Sequence, residues 1–67
     1  MRNWRNKYRG YWIEVEEQTD NTTVARIWIV GYPETKRVVS RGTFRGQAHT
    51  TAERYIDKIL MFGGLLR

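Results

Sequence analysis

Val24-Ala25-Arg26-Ile27-Trp28-Ile29-Val30-Gly31-Tyr32 is the stretch whose reading decides the fold. β-Branched and aromatic side chains dominate it and proline is absent, so it reads as a strand. Successive strand residues point to opposite faces. Ala25, Ile27 and Ile29 make one face small and aliphatic, while Val24, Arg26, Trp28, Val30 and Tyr32 make the other a mixture of aromatic and charged groups. The aliphatic face has to be covered by another part of the chain. The second face meets solvent or a partner.

Toward the N-terminus, the residues from Tyr11 onward alternate, with Tyr11, Ile13 and Val15 on one face and Trp12, Glu14 and Glu16 on the other. This is a first strand. Asp20-Asn21-Thr22 reads as a three-residue turn that puts Glu16 opposite Arg26 and Glu14 opposite Trp28. Both aliphatic faces then coincide. Toward the C-terminus, Pro33-Glu34-Thr35-Lys36 reads as a four-residue hairpin loop, with proline presetting the turn. Arg37 to about Phe44 is the third strand, with Val38 and Phe44 on the core side. Val39 then faces Val30, Arg41 faces Trp28 and Arg37 faces Tyr32, and Gly42 marks a bulge position.

Gly46-Gln47-Ala48-His49 reads as a connection, after which Thr50-Thr51-Ala52-Glu53 has capping-box spacing with Thr50 as N-cap. Ala52, Tyr55, Ile56, Ile59 and Leu60 recur at helical steps and Gly63-Gly64 is a stop, which predicts a helix over about 51–62. Its apolar stripe is the natural lid for the aliphatic sheet face. The expected fold class is α+β: a three-stranded antiparallel β-meander packed on one C-terminal α-helix, in the order β-β-β-α. Residues 8–67 form that single domain, and residues 1–7, polar apart from Trp4, form a basic flexible arm.

A chain of 67 residues has room for one small core, and the absence of cysteine removes disulfides and thiolate metal sites. No apolar run approaches the ~18 residues of a membrane span. The first residues, Met-Arg-Asn-Trp-Arg-Asn-Lys, lack the apolar core of a signal peptide, so a soluble cytoplasmic protein is expected. The net charge is +5 and is segregated. Arg2, Arg5, Lys7 and Arg9 cluster at the start, Glu14, Glu16, Glu17 and Asp20 follow, and Lys36, Arg37, Arg41 and Arg45 form a second basic block. Such segregation makes a basic surface that favours anionic partners.

Chemistry is poorly represented. The single histidine, His49, falls in the connection, and no glycine-rich phosphate loop is present. Glu14 and Glu16 share a face at a spacing that could suit an acid–base or metal pair, yet as cross-strand partners of Arg26 they are already accounted for. The chain therefore reads as non-enzymatic, with no cofactor and no metal. The constellation above background is the outer sheet face, where Arg26, Trp28, Arg37 and Arg41 gather, with Arg45 at its end and Arg2, Arg5 and Lys7 in the adjacent arm. Arginine bonds phosphates and guanine edges in a two-pronged way, and sheets can enter a DNA groove. Double-stranded DNA is the expected partner. The plainer reading is that Trp28 stacks with Arg41 while the arginines pair with Glu14 and Glu16.

Short pieces of the chain are similar to the ethylene-response-factor domain of plants, which also occurs in phage-borne homing nucleases. Tyr8-Arg9-Gly10, Val24-Ala25-Arg26-Ile27, Gly42-Thr43-Phe44, and Thr51-Ala52-Glu53 running on to Tyr55 and Asp57 each resemble the family's pattern. The arm-binding domains of phage and transposon integrases share that architecture. The resemblance implies a three-stranded sheet on one helix, with the arginines of strands two and three, by position Arg26, Arg37 and Arg41, in the major groove. The acidic first strand departs from the pattern, which places DNA-contacting arginines there.

A second function class rests on apolar residues beyond the needs of a helix end. Met61, Phe62, Leu65 and Leu66, with Trp4 and Trp12, suggest a protein partner or a homodimer. Small mobile-element inhibitors and antitoxins have this size and plan, by analogy alone. Alternatively Phe62 and Leu65 fold back and seal the core's edge.

Overall fold

A computed structural model describes residues 2–63 of the chain. Four strands and one helix follow in order: β1 Asn3–Tyr8, β2 Tyr11–Glu17, β3 Thr23–Ile29, β4 Tyr32–Thr43 and α1 Arg45–Met61. The strands pair as an antiparallel meander, each with its neighbour in sequence. The α+β plan and the C-terminal helix are as expected, but the sheet has four strands rather than three. The added strand is β1, in the segment read as an arm. Trp4, Asn6 and Tyr8 point toward the helix side opposite Val15, Ile13 and Tyr11. Polar Asn6 in the middle of that row hides the alternation, and the fold satisfies it with His49, whose Nε2 lies 2.9 Å from its Oδ1.

The β1–β2 connection is the two-residue turn Arg9-Gly10, whose φ angles of 51° and 86° are both positive. That is the mark of the type I′ hairpin, whose twist matches that of the strands. Tyr8-Arg9-Gly10, quoted above for its family resemblance, is thus the tip of a hairpin.

Between β2 and β3 the register differs by two residues from the expected one: Glu14 faces Arg26 and Trp12 faces Trp28. A shift of two leaves every side chain on its own face, so Tyr11, Ile13, Val15, Ala25 and Ile27 still share the core. The longer connection, residues 18–22, is closed by Gln18 N–H donating to the Thr22 carbonyl at 2.8 Å, with Asn21 at φ 67°.

The third hairpin departs further. Ile29 pairs with Tyr32, so the turn is Val30-Gly31, and the residues read as a loop lie inside β4 as an irregular bulge. Thr35 stitches it, its Oγ1 accepting from Ile29 N–H at 2.9 Å and donating to the Tyr32 carbonyl at 2.7 Å. The bulges change the expected faces over Arg37 to Val39, while Arg41 stays on the outer face. Val38, expected in the core, lies opposite Arg26 and is exposed, while Val39 packs against the core and Phe44 is exposed.

α1 begins at Arg45, before the expected Thr50 cap, and its N-cap Phe44 makes no side-chain capping bond. Ala48, Ala52 and Ile56 explain the difference, because they are its fully buried residues at four-residue steps. The stripe starts one turn before Ala52, and Gly46 falls in the first turn, where a glycine costs less than in a helix interior. Gly63, with φ 109°, follows the helix end as expected; Gly64, Leu65 and Leu66 lie outside the described residues. No helix among the described residues is long and apolar enough to cross a membrane.

Candidate nucleic-acid interface

The helix covers one side of the sheet and no described element covers the other. Pairing sets out that outer side in rows: Asn3, Glu16, Val24 and Arg41; then Arg5, Glu14, Arg26 and Val38; then Lys7, Trp12 and Trp28. Trp12 and Trp28 stack across the strands, with ring centroids 6.4 Å apart and planes 29° apart. Three cations lie on the pair. Lys36 Nζ is 4.4 Å from the Trp28 centroid, Lys7 Nζ is 5.2 Å from that of Trp12, and the Arg5 guanidinium is 5.4 Å from Trp28 and 6.0 Å from Trp12. Each places positive charge on the electron-rich ring face.

Glu14 sits at the centre and is only 8% exposed. Arg5 donates to it at 2.7 Å and Arg26 at 3.5 Å, and Arg26 also reaches Glu16 at 3.3 Å. Gln18 adds a bond to Glu16 at 3.0 Å. The hydrogen bond from Arg5 holds the Glu14 carboxyl below its ordinary range; partial burial works the other way and is outweighed. Five cations on this face, Arg5, Lys7, Arg26, Lys36 and Arg41, stand against the two carboxylates Glu14 and Glu16, a surplus of three positive charges.

Of the residues singled out in the sequence, Arg26, Trp28 and Arg41 lie on this face. Arg5 and Lys7 join them, carried in by β1 rather than by an arm. Arg2 is exposed just before β1, and its carbonyl accepts from Glu17 N–H at 2.8 Å. Arg37 and Arg45 are not brought to the face. Arg37 pairs with Ile27 on the helix side, and its Nη1 donates to the Tyr55 hydroxyl at 3.5 Å. Arg45 opens the helix and lies 4.5 Å over the Trp4 ring. Lys36 was missed because the loop reading took it off the sheet. The alternation puts Trp12 on this face, and the two-residue change of register brings it opposite Trp28 rather than leaving it to the protein-contact set.

The remaining titratable cluster ties the helix to β1. Asp57 accepts from the Tyr8 hydroxyl at 2.9 Å and from Arg9 at 2.7 Å, and these bonds, that of Arg9 first, hold it below the usual carboxylate range. His49 lies with Nδ1 4.0 Å from Glu53, beside its contact with Asn6. Among the described residues no group of three or more acids and histidines is placed to hold a metal.

The chain matches no protein-family model, and no curated protein and no solved structure matches it.

Proposed function

We propose that the chain is a small non-enzymatic DNA-binding module that uses the outer face of its sheet. The observation that carries this reading is the stacked Trp12–Trp28 pair under Lys7, Arg5 and Lys36, on a sheet face without a covering element. The surplus positive charge supplies attraction to phosphates, and the indole rings supply flat apolar area to bases. Lys7, Lys36 and Arg41 are exposed; Arg5, also exposed, is bonded to Glu14, and Arg26 is held by Glu14 and Glu16.

Fluorescence anisotropy of labelled DNA at two salt concentrations tests the reading. Affinity falls steeply with salt as counterions are released from the phosphates, and the double change Lys36→Gln, Arg41→Gln flattens that slope. Absence of binding at low salt sinks the proposal.

A second reading, a protein-interaction module, is favoured by the end of the helix. Met61 is 75% exposed and Phe62 82% exposed, so Phe62 does not fold back onto the core. A contact built there is insensitive to salt, and Phe62→Ser abolishes it without touching DNA affinity.

A further inference from the structure

Resting on the DNA-binding reading, we propose further that the ligand of the outer face is single-stranded DNA, with one base stacked on Trp12 and its phosphates on Lys7, Lys36 and Arg41.

The number of strands argues against entry into a duplex groove. Strand spacing of about 4.8 Å puts the outer strands of a four-stranded sheet about 14 Å apart before side chains are added. The major groove is about 12 Å wide and admits a helix or a two-stranded ribbon. β1 therefore makes this face too broad to insert flat. A duplex laid against it would reach the rim cations alone.

The relief of the face points the same way. A groove reader needs extended side chains at its centre, aimed at base edges. Here the central guanidiniums are already engaged within the face. Arg26 is held between Glu14 and Glu16, and Arg5 is held by Glu14 above the two rings. What the centre offers is ring surface, and a single strand can turn its bases onto ring surface while a duplex keeps them stacked inside.

The lysines occupy that surface provisionally. Lys7 and Lys36 are exposed, and each has a flexible four-carbon stem with its ammonium over an indole. A base–indole stack is stronger than an exposed ammonium–indole contact, so exchange is favourable. The displaced ammonium moves outward, where the phosphates of the same strand run. Trp12, partly exposed, takes the first base; Trp28, 7% exposed, becomes available once Lys36 has moved. Ring and phosphate contacts of this kind need no 2′-hydroxyl, so a DNA strand suffices.

The test is a titration of the whole chain at low salt with an oligothymidylate long enough to cross the sheet and with a mixed-sequence duplex of the same length. The single strand is expected to bind at least about tenfold more tightly and to quench tryptophan fluorescence. Trp12→Leu is expected to lower single-strand affinity about tenfold or more and so to narrow the preference for the single strand over the duplex, and Trp12→Phe to retain most of that preference. The comparison and the quench on the unaltered chain stand even if a variant fails to fold. Equal or tighter duplex binding, or single-strand binding without quenching, overturns the proposal while leaving DNA binding intact. An oligouridylate bound about tenfold more tightly than the oligothymidylate overturns the choice of DNA. If neither DNA binds at low salt, the underlying reading falls as well.

Discussion

On the helix side of β2 and β3, Ile13, Val15 and Ile27 lose essentially all contact with water; one residue along, on the outer side, Glu14, Val24 and Trp28 are nearly as buried. The first set is covered by packing against Ala48, Ala52 and Ile56 of the helix. Around Trp28 and Glu14 the second is covered by long cationic side chains, with the charged heads of Lys36 and Arg5 over the Trp28 ring and that of Arg5 bonded to Glu14. Burial by packing is rigid and costly to undo. Burial under exposed cations can be lifted off by anything that offers those cations a better partner. The centres of the two faces are thus similarly buried but differently covered, by side-chain packing on one side and by exposed cations on the other.

The largest expected effect tests whether β1 belongs to this arrangement. Deleting residues 1–8 removes Trp4 and Tyr8 from the core's edge and Arg5 from Glu14. The truncated chain is expected to lose its cooperative thermal transition in circular dichroism. A truncated chain that melts like the full one would return residues 1–7 to the status of an arm and narrow the sheet to three strands. Next in size is Ile27→Ala, at a fully buried site, expected to cost about 2–5 kcal/mol. A domain this small has little more stability than that. An unchanged melting temperature would show that the packed side has been misassigned.

A smaller effect belongs to the β1–β2 hairpin. Gly10 has φ 86° and open space where a Cβ would stand. Gly10→Ala meets no clash, so its cost is that of left-handed backbone alone, about 1–2 kcal/mol. A stabilised Gly10→Ala variant in urea melts would mean that the turn has another geometry.

The core strands and their faces were legible in the sequence because they rest on local alternation, which a two-residue change in register does not disturb. β1 was not legible. Its inward residues Trp4, Asn6 and Tyr8 lie at the core's margin, and each is completed by a helix group far along the chain: Arg45, His49 and Asp57. The faces of β4 were not legible either, since its bulges depend on cross-strand bonds such as that from the Ile29 N–H to the Thr35 hydroxyl. That error moved Arg37 into the site and Lys36 out of it. At the helix start, a good capping box at Thr50 was overridden by tertiary packing of Ala48, which a local signal does not contain.

The smallest expected effect separates the two faces at a single residue. Glu14 alternates with Ile13 and Val15 in β2, and replacing it acts on stability and on binding with opposite signs. Its folded carboxyl is held below the ordinary value of 4.5, chiefly by the hydrogen bond from Arg5. A depressed carboxyl stabilises the fold above the unfolded value, and that contribution is lost as pH falls through the lower folded value. Glu14→Gln keeps the shape but not the charge, so at neutral pH it is expected to cost about 1 kcal/mol, the Arg5 partner being half in water. The gap in melting temperature between the unaltered chain and the variant should close as the pH drops below the carboxylate range. Asp20 and Asp57, also depressed, titrate in both proteins and cancel from that difference. On the binding side, the same change frees Arg5 and Arg26 from their carboxylate partner and removes a negative charge from the middle of the face. DNA affinity at low salt is expected to rise even as stability falls. Weaker binding by a folded Glu14→Gln would mean that the carboxylate itself touches the ligand, and the partner of this face would then have to carry cations or base amino groups toward it.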